Sequence, residues 1–313
     1  MAQPGLDLIS IVIPVYNEQD NLLVLYNRLK AVLDSSRYLH EIIFVDDGSY
    51  DCSWKLIEKF CVTDSSVKGI QLSKNFGHQF ALSAGIDYAN GNAVITIDAD
   101  LQHPPEIIPK LIQKWKEGYD IVYTLRKENK GIGLFKKILS NFFYVVVNKL
   151  GHVAIPTGAA DFRLLGRNVV ESLKSIHERT RFLRGLVSWM GYKNIGIPYV
   201  ADERFAGKSR YSFMKMLAFA MSGITSFSSF PLYVSAFLGL IIAMVSFLYG
   251  IFAIYTKFFT GKVVPGWTSV LVSVLFLGGV QLVAIGVLGE YLARVYEEVK
   301  QRPLYIVSQR KGF

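Results

Sequence analysis

Cysteine is scarce in this 313-residue chain, which holds only Cys52 and Cys61. Their spacing fits neither a metal cluster nor a disulfide framework, so two reduced thiols are expected. No GxGxxG follows the first apolar run and no GxxxxGK[ST] occurs. Dinucleotide-dehydrogenase and P-loop readings therefore lose support. Long basic runs are absent too. The formal net charge is +9, yet Lys and Arg are dispersed, so no nucleic-acid partner is expected. Nothing basic precedes the apolar run Leu8–Val15, which reads as a strand rather than a signal peptide. The most informative absence is of charge itself, with none over 216–256 and none over 263–289. Each gap exceeds the roughly 20 residues that cross a bilayer's hydrocarbon core. Two in succession mark an integral membrane protein rather than a pair of core helices.

The first span is placed at about 230–255, with Pro231 at its start, a position that tolerates proline. The second covers about 267–288 and continues as a helix to 299, with Trp267 and Tyr291 suited to the two interfacial belts. Residues 211–229 are expected to form a juxtamembrane helix in the interface. Arg204, Lys208, Arg210, Lys215, Arg294, Lys300, Arg302, Arg310 and Lys311 flank the spans, whereas the loop between them carries only Lys257 and Lys262. That asymmetry fits anionic lipid and the positive-inside rule. It places both chain ends in the cytoplasm and the loop between the spans outside. Gly278, Gly279 and Gly286 suit span–span packing and hence a homo-oligomer.

Ahead of the spans, short apolar runs at 8–15, 41–45, 67–72, 94–97 and 120–125 alternate with helical patterns. This predicts an α/β fold with an open, mostly parallel sheet, whose ligands bind beyond the carboxyl ends of the strands. Polar residues gather at those ends: Tyr16, Asn17 and Glu18; Asp46 and Asp47; Asp98, Asp100 and Gln102; and Arg126. The stretch VITIDADLQHPPE over 94–106 is the focus. In an extended segment Asp98 and Asp100 would point to one side. Two carboxylates so close need a cation or protons, and a divalent ion with substrate phosphates supplies the first. A pair of turn-forming Asp residues is the bland alternative, and the other polar strand ends weigh against it. Further on, 131–150 reads as helical. The segment 157–165 holds Asp161 and Arg163 among small and apolar residues. Residues 179–191 form a basic amphipathic helix with Phe182, Leu183, Leu186 and Trp189 on one face, for core packing or the membrane interface. A strand at 194–200 and a flexible basic loop at 204–210 follow.

The runs IVIPVYNE (11–18), VDDGS (45–49), NFGHQFALSAGIDYA (75–89), DADLQHPPE (98–106), RFLRG (181–185) and AGKSRY (206–211) resemble the family 2 glycosyltransferases of GT-A fold. More narrowly, they are similar to polyprenyl-phosphate glycosyltransferases such as bactoprenol glucosyltransferases and dolichol-phosphate mannose synthase. The resemblance covers essentially the whole chain. It implies that Pro14, Tyr16, Glu18 and Asp47 border the nucleotide, and that Asp98, Asp100 and Gln102 hold Mg²⁺ or Mn²⁺ and the donor diphosphate. It also implies that Arg126, Arg204 and Lys208 or Arg210 meet donor or acceptor phosphates. The chain departs from the usual pattern at His103, where Asp is common, and at Lys208-Ser209-Arg210, where Glu-Ser-Lys is common.

The expected reaction is inverting transfer of a hexose, with UDP-glucose the favoured nucleotide sugar, to undecaprenyl or another polyprenyl phosphate. Asp98, Asp100, Asp161 and Arg126 are the candidate catalytic residues, Asp161 as acceptor-orienting group, residual base or partner of Arg163. Tyr16 and Phe76 are stacking candidates, and His78 is left without a role. Use of GDP-mannose is the near alternative. A processive polysaccharide synthase lacks support because no QxxRW occurs, and a binding scaffold without chemistry fits the DxDxQ set poorly. The expected division is a catalytic domain over 1–165, acceptor-side elements over 166–229, two spans over 230–299 and a cytoplasmic tail over 300–313.

Overall fold

In the computed structural model, residues 7–126, 158–179, 181–200, 229–260 and 266–313 are described. The expected helix at 131–150, the basic loop with Arg204, Lys208 and Arg210, and nearly all of the juxtamembrane segment lie outside them. Two compact units emerge: 1–216 together with 302–313, and 217–301.

The first unit is built on strands β1 (Leu8–Val15), β2 (Leu39–Asp46), β3 (Val67–Leu72), β4 (Ala93–Thr96), β5 (Ile121–Arg126), β6 (Ala159–Gly166), β7 (Asn194–Tyr199) and β8 (Val307–Lys311). They form one sheet in the order β7-β5-β6-β4-β1-β2-β3-β8. The pairs β1–β2, β1–β4, β2–β3 and β5–β7 are parallel. Strand β6 runs antiparallel between β4 and β5, and β8 runs antiparallel to β3. Helices α1 (Gln19–Asp34), α2 (Ser53–Thr63), α3 (His78–Tyr88) and α4 (Ile108–Lys116) connect the first five strands, while α5 (Arg167–Ser175) and α6 (Leu183–Trp189) follow β6.

Side-chain alternation decides which face each helix covers. Ile9, Ile11, Ile13 and Val15 of β1 and Ile42 and Phe44 of β2 pack with Leu22, Leu25 and Leu29 of α1, Ile57 and Phe60 of α2, and Leu111 of α4. Each such fully buried side chain contributes about 1.5–3 kcal/mol. The opposite face of β1 and β2 is covered by α3, and Gly85 makes that approach feasible because a Cβ there would overlap Val12 and press on Val45. Every parallel strand of this central set therefore delivers its carboxyl end to one edge, where the candidate residues sit.

Three expectations needed revision. Residues 157–165 gave no clear strand signal, yet 159–166 is the antiparallel strand that buries Phe162 and Leu164 on one face and Asp161 and Arg163 on the other. A buried salt bridge on the second face broke the apolar pattern. The C-terminal residues form an edge strand rather than only a tail. Their polar sequence VSQRK concealed it because main-chain pairing with β3 holds the strand, aided by Tyr305 donating to Asp87 at 2.8 Å. The amphipathic helix is shorter than expected: Phe182, Leu183 and Leu186 are buried as core, but Trp189 is exposed.

The second unit comprises α7 (Phe230–Thr260) and α8 (Trp267–Val299), which pack against each other. Both contain segments long and apolar enough to cross a membrane, Phe230–Phe252 and Val272–Val299. Exposed Phe237, Leu240, Phe247, Leu282 and Val283 make an apolar surface larger than soluble monomers carry. Membrane association follows.

Candidate active site

The β1 and β2 ends are stitched together by their loops. Asn17 lies in the left-handed region (φ 55), which Asn tolerates. Its N–H donates to Ser49 Oγ at 2.9 Å, and its Oδ1 accepts the Tyr50 N–H at 2.9 Å. Glu18 N–H reaches Ser53 Oγ at 3.1 Å, and its Oε2 accepts from Asn21 Nδ2 at 2.5 Å. Pro14 is buried one residue before the end of β1, opposite Val45. Tyr16 emerges to solvent.

Asp47 is buried at the same edge, its two oxygens accepting N–H groups of Phe76 and Gly77 at 2.8 and 2.9 Å. Burial pushes its pKa up, and these two hydrogen bonds offset only part of that. Gly48 completes the turn at φ +69, where a Cβ would lie 2.6 Å from the backbone carbon of Lys74. The loop 73–77 is thereby closed against the β2 end, and it delivers His78 at the start of α3.

Strand β4 stops at Thr96, so the alternation argument for Asp98 and Asp100 does not reach them; a turn with Leu101 at φ 60 sets their directions. Asp98 Oδ1 lies 2.9 Å from His78 Nε2 and Oδ2 lies 3.2 Å from His103 Nε2. Burial opposes ionisation of Asp98, but the hydrogen bonds and charge of the two imidazoles outweigh it and hold the carboxyl well below its usual range. His78 responds in the opposite sense: burial disfavours its charge, and Asp98 more than compensates, raising its pKa. Behind His103, Tyr199 sits with its hydroxyl 2.8 Å from Nδ1, and burial pushes that phenol up to about 12. Asp100 Oδ1 accepts the Gln102 N–H at 3.2 Å, and Gln102 Oε1 accepts from Arg126 Nη1 at 3.4 Å.

Asp161 is buried beside this turn on β6, and the Thr96 hydroxyl donates to its backbone carbonyl. Arg163 Nη2 approaches Oδ1 at 2.5 Å, while Arg184 forks onto both oxygens at 2.9 and 2.7 Å. Burial alone would raise the Asp161 pKa. Arg184 and Arg163 reverse this and bring it to about 2. Gln79 ties α3 to α6, since its amide nitrogen meets His78 Nδ1 and its oxygen accepts Leu183 N–H, both at 3.2 Å.

The structure thus brings Asp98, Asp100, Gln102, Arg126 and Asp161 to one edge, with Pro14, Tyr16, Glu18 and Asp47 along it. Arg204, Lys208 and Arg210 lie outside the described residues. Sequence reading missed Arg184, His78 and Tyr199. The RFLRG run and a His directly after a strand-end loop were the only signals for the first two, and Tyr199 had none.

Among the described residues no group of three or more His, Cys, Asp and Glu side chains could by itself hold a metal ion. A Mg²⁺ site needs less, usually one or two carboxylates plus substrate phosphates. The Asp98–Gln102 turn offers that number of hard oxygen donors, so its residues fit such an ion.

The profile of Glycosyl transferase family 2 matches residues 10–174. An uncharacterized glycosyltransferase of Bacillus subtilis, YkcC, is 45% identical over 97% of this chain and 94% of its own. An uncharacterized Synechocystis glycosyltransferase, sll0501, is 48% identical over 97% and 96%. The bactoprenol glucosyl transferase of Shigella phage SfX is 43% identical over 97% and 99%.

Proposed function

Because this chain belongs to glycosyl transferase family 2, we propose that it transfers one glucose from UDP-glucose to a polyprenyl phosphate, undecaprenyl phosphate in a bacterial membrane. The observation that carries this reading is the likeness to a bactoprenol glucosyl transferase, which extends over both apolar helices as well as the catalytic unit. The strand edge described above is the matching donor site.

Pro14, Tyr16, Glu18 and Asp47 border the nucleoside. Asp98, Asp100 and Gln102 would hold Mg²⁺ or Mn²⁺ with the diphosphate, and such an ion would supply Lewis-acid stabilisation of the leaving group. Arg126, joined to Gln102 at 3.4 Å, places a fixed positive charge beside that diphosphate. Asp161, clamped by Arg163 and Arg184, orients the basic groups that receive the acceptor. Its pKa of about 2 makes it a weak base, and the acceptor phosphate, already anionic near neutral pH, needs none. A phosphate oxygen bonds to the anomeric carbon as the bond to the donor diphosphate breaks on the opposite side, which inverts the configuration. Arg204 and Lys208 or Arg210 meet the acceptor phosphate.

The two spans hold the acceptor's tail in the membrane. Both flanks of the two-span segment belong to one compact unit, and two crossings return a chain to the side it left. This supports placing both ends with the catalytic unit, on the cytoplasmic side by the charge asymmetry. The test offers purified protein UDP-glucose, UDP-galactose and GDP-mannose with undecaprenyl phosphate and reads the lipid product by mass. A single added hexose from UDP-glucose is expected. Preference for GDP-mannose, or a polymer, would overturn the assignment.

A further inference from the structure

Tyr50 is a large, exposed side chain at the binding edge that has no role in the proposed function. It is 87% exposed in the loop between β2 and α2. Its ring stands edge-on to Tyr16, with centroids 6.4 Å apart and planes at 71°. One exposed aromatic is ordinary on a protein surface. Tyr50 differs because its backbone is pinned from both sides while its ring is left in water.

The pinning is extensive. Asn17 accepts the Tyr50 N–H and donates to Ser49, and Ser49 N–H points to the Asp46 carboxylate at 3.3 Å. On the far side, Cys52 N–H reaches Gln19 Oε1 at 3.0 Å, and Gln19 N–H reaches Asp51 Oδ2 at 3.2 Å. The two loops are therefore one rigid platform that presents Tyr16 and Tyr50 together. Fixing a side chain's base in advance lowers the ordering cost of binding against it. The platform lies at the carboxyl ends of β1 and β2, where open parallel sheets bind ligands, and next to buried Asp46 and Asp47.

We propose that Tyr50 is a second aromatic wall for the donor's nucleobase, completing a corner with the Tyr16 that borders the nucleoside. This rests on the nucleotide-sugar reading above. A flat, polar-edged π-system fits such a corner, because stacking on an aromatic ring tolerates any base. The diphosphate and sugar then extend away from the corner toward the Asp98–Gln102 turn.

The test measures binding of UDP, GDP and inorganic pyrophosphate to detergent-purified full-length protein by calorimetry, for wild type, Tyr50→Ala and Tyr50→Phe. With whichever nucleotide the wild type binds, Tyr50→Ala weakens affinity about tenfold, the scale of one base stack. Tyr50→Phe, which keeps the ring, binds as wild type, and KM for the nucleotide sugar follows the same order. Pyrophosphate has no base, so its affinity is equal in all three proteins. Equal nucleotide affinity in Tyr50→Ala overturns the inference and leaves the donor reading standing. Parallel loss of pyrophosphate binding, or loss in Tyr50→Phe, also overturns it, since the ring face would not be the cause. Wild-type protein that binds neither nucleotide overturns both.

Discussion

Arg184 grips both carboxylate oxygens of Asp161, its Nε 2.9 Å from Oδ1 and its Nη2 2.7 Å from Oδ2. With Arg163 on the buried side, Asp161 is an ionised centre between two cations. Breaking such a pair strands buried charge and costs about 3 kcal/mol. Asp161→Asn is therefore expected to lower the melting temperature clearly at pH 7. The folded pKa, about 2, lies below the ordinary carboxylate value of about 3.9. The stabilisation is thus complete above about pH 4 and fades as pH falls through 2. Melts of wild type and variant in detergent should converge in that acid window and stay apart above it.

Gly48 is a backbone constraint. At φ +69, with Lys74 backbone 2.6 Å from any added Cβ, Gly48→Ala has to displace the 73–77 loop. A cost of about 1–3 kcal/mol is expected, together with weaker donor binding, because that loop leads into His78 and carries the two N–H groups that cap Asp47. Thermal melts and nucleotide titration check both effects.

Asp47→Ala attacks the same junction from the other side. It leaves the N–H groups of Phe76 and Gly77 without their acceptor, worth about 1–3 kcal/mol for each group left buried and unsatisfied. Nucleotide affinity should fall by more than in Gly48→Ala, since Asp47 belongs to the proposed nucleoside site. Asp47→Asn retains one acceptor and should lie between Asp47→Ala and wild type in calorimetric titration.

The C-terminal strand closes the β3 edge. Tyr305→Phe removes one hydrogen bond to Asp87 and is expected to cost about 1 kcal/mol. Deleting 305–313 uncovers a row of unpaired main-chain groups on β3, which invites edge-to-edge association. Light scattering should register aggregates for the truncation and none for Tyr305→Phe.

What the sequence disclosed depended on how each residue is held. The placement of Asp47, Asp98 and Asp100 at the sheet edge was legible because strand ends in a parallel sheet are local patterns, and apolar runs such as IIFV and VITI announce themselves. The two long apolar helices were legible from missing charge alone. Arg184 meets Asp161 from 23 positions away, and Tyr199 meets His103 from 96 away. No periodicity encodes such meetings. Strand β6 hid for a related reason: its buried face carries Asp161 and Arg163, which neutralise each other only after folding. His103, an oddity in the motif, is explained by its place between Asp98 and Tyr199.

On the proposed function, the Asp98–Gln102 turn activates a nucleotide sugar for transfer to a lipid phosphate. The most direct measurement compares wild type with Asp100→Asn, both purified from membranes, in UDP-glucose, Mg²⁺ or Mn²⁺ and undecaprenyl phosphate, with the lipid product analysed by mass. Wild type should yield the monoglucosylated lipid. Asp100→Asn should yield none while still inserting in the membrane and melting as a folded protein. Undiminished product from Asp100→Asn would mean that this turn does not activate the donor.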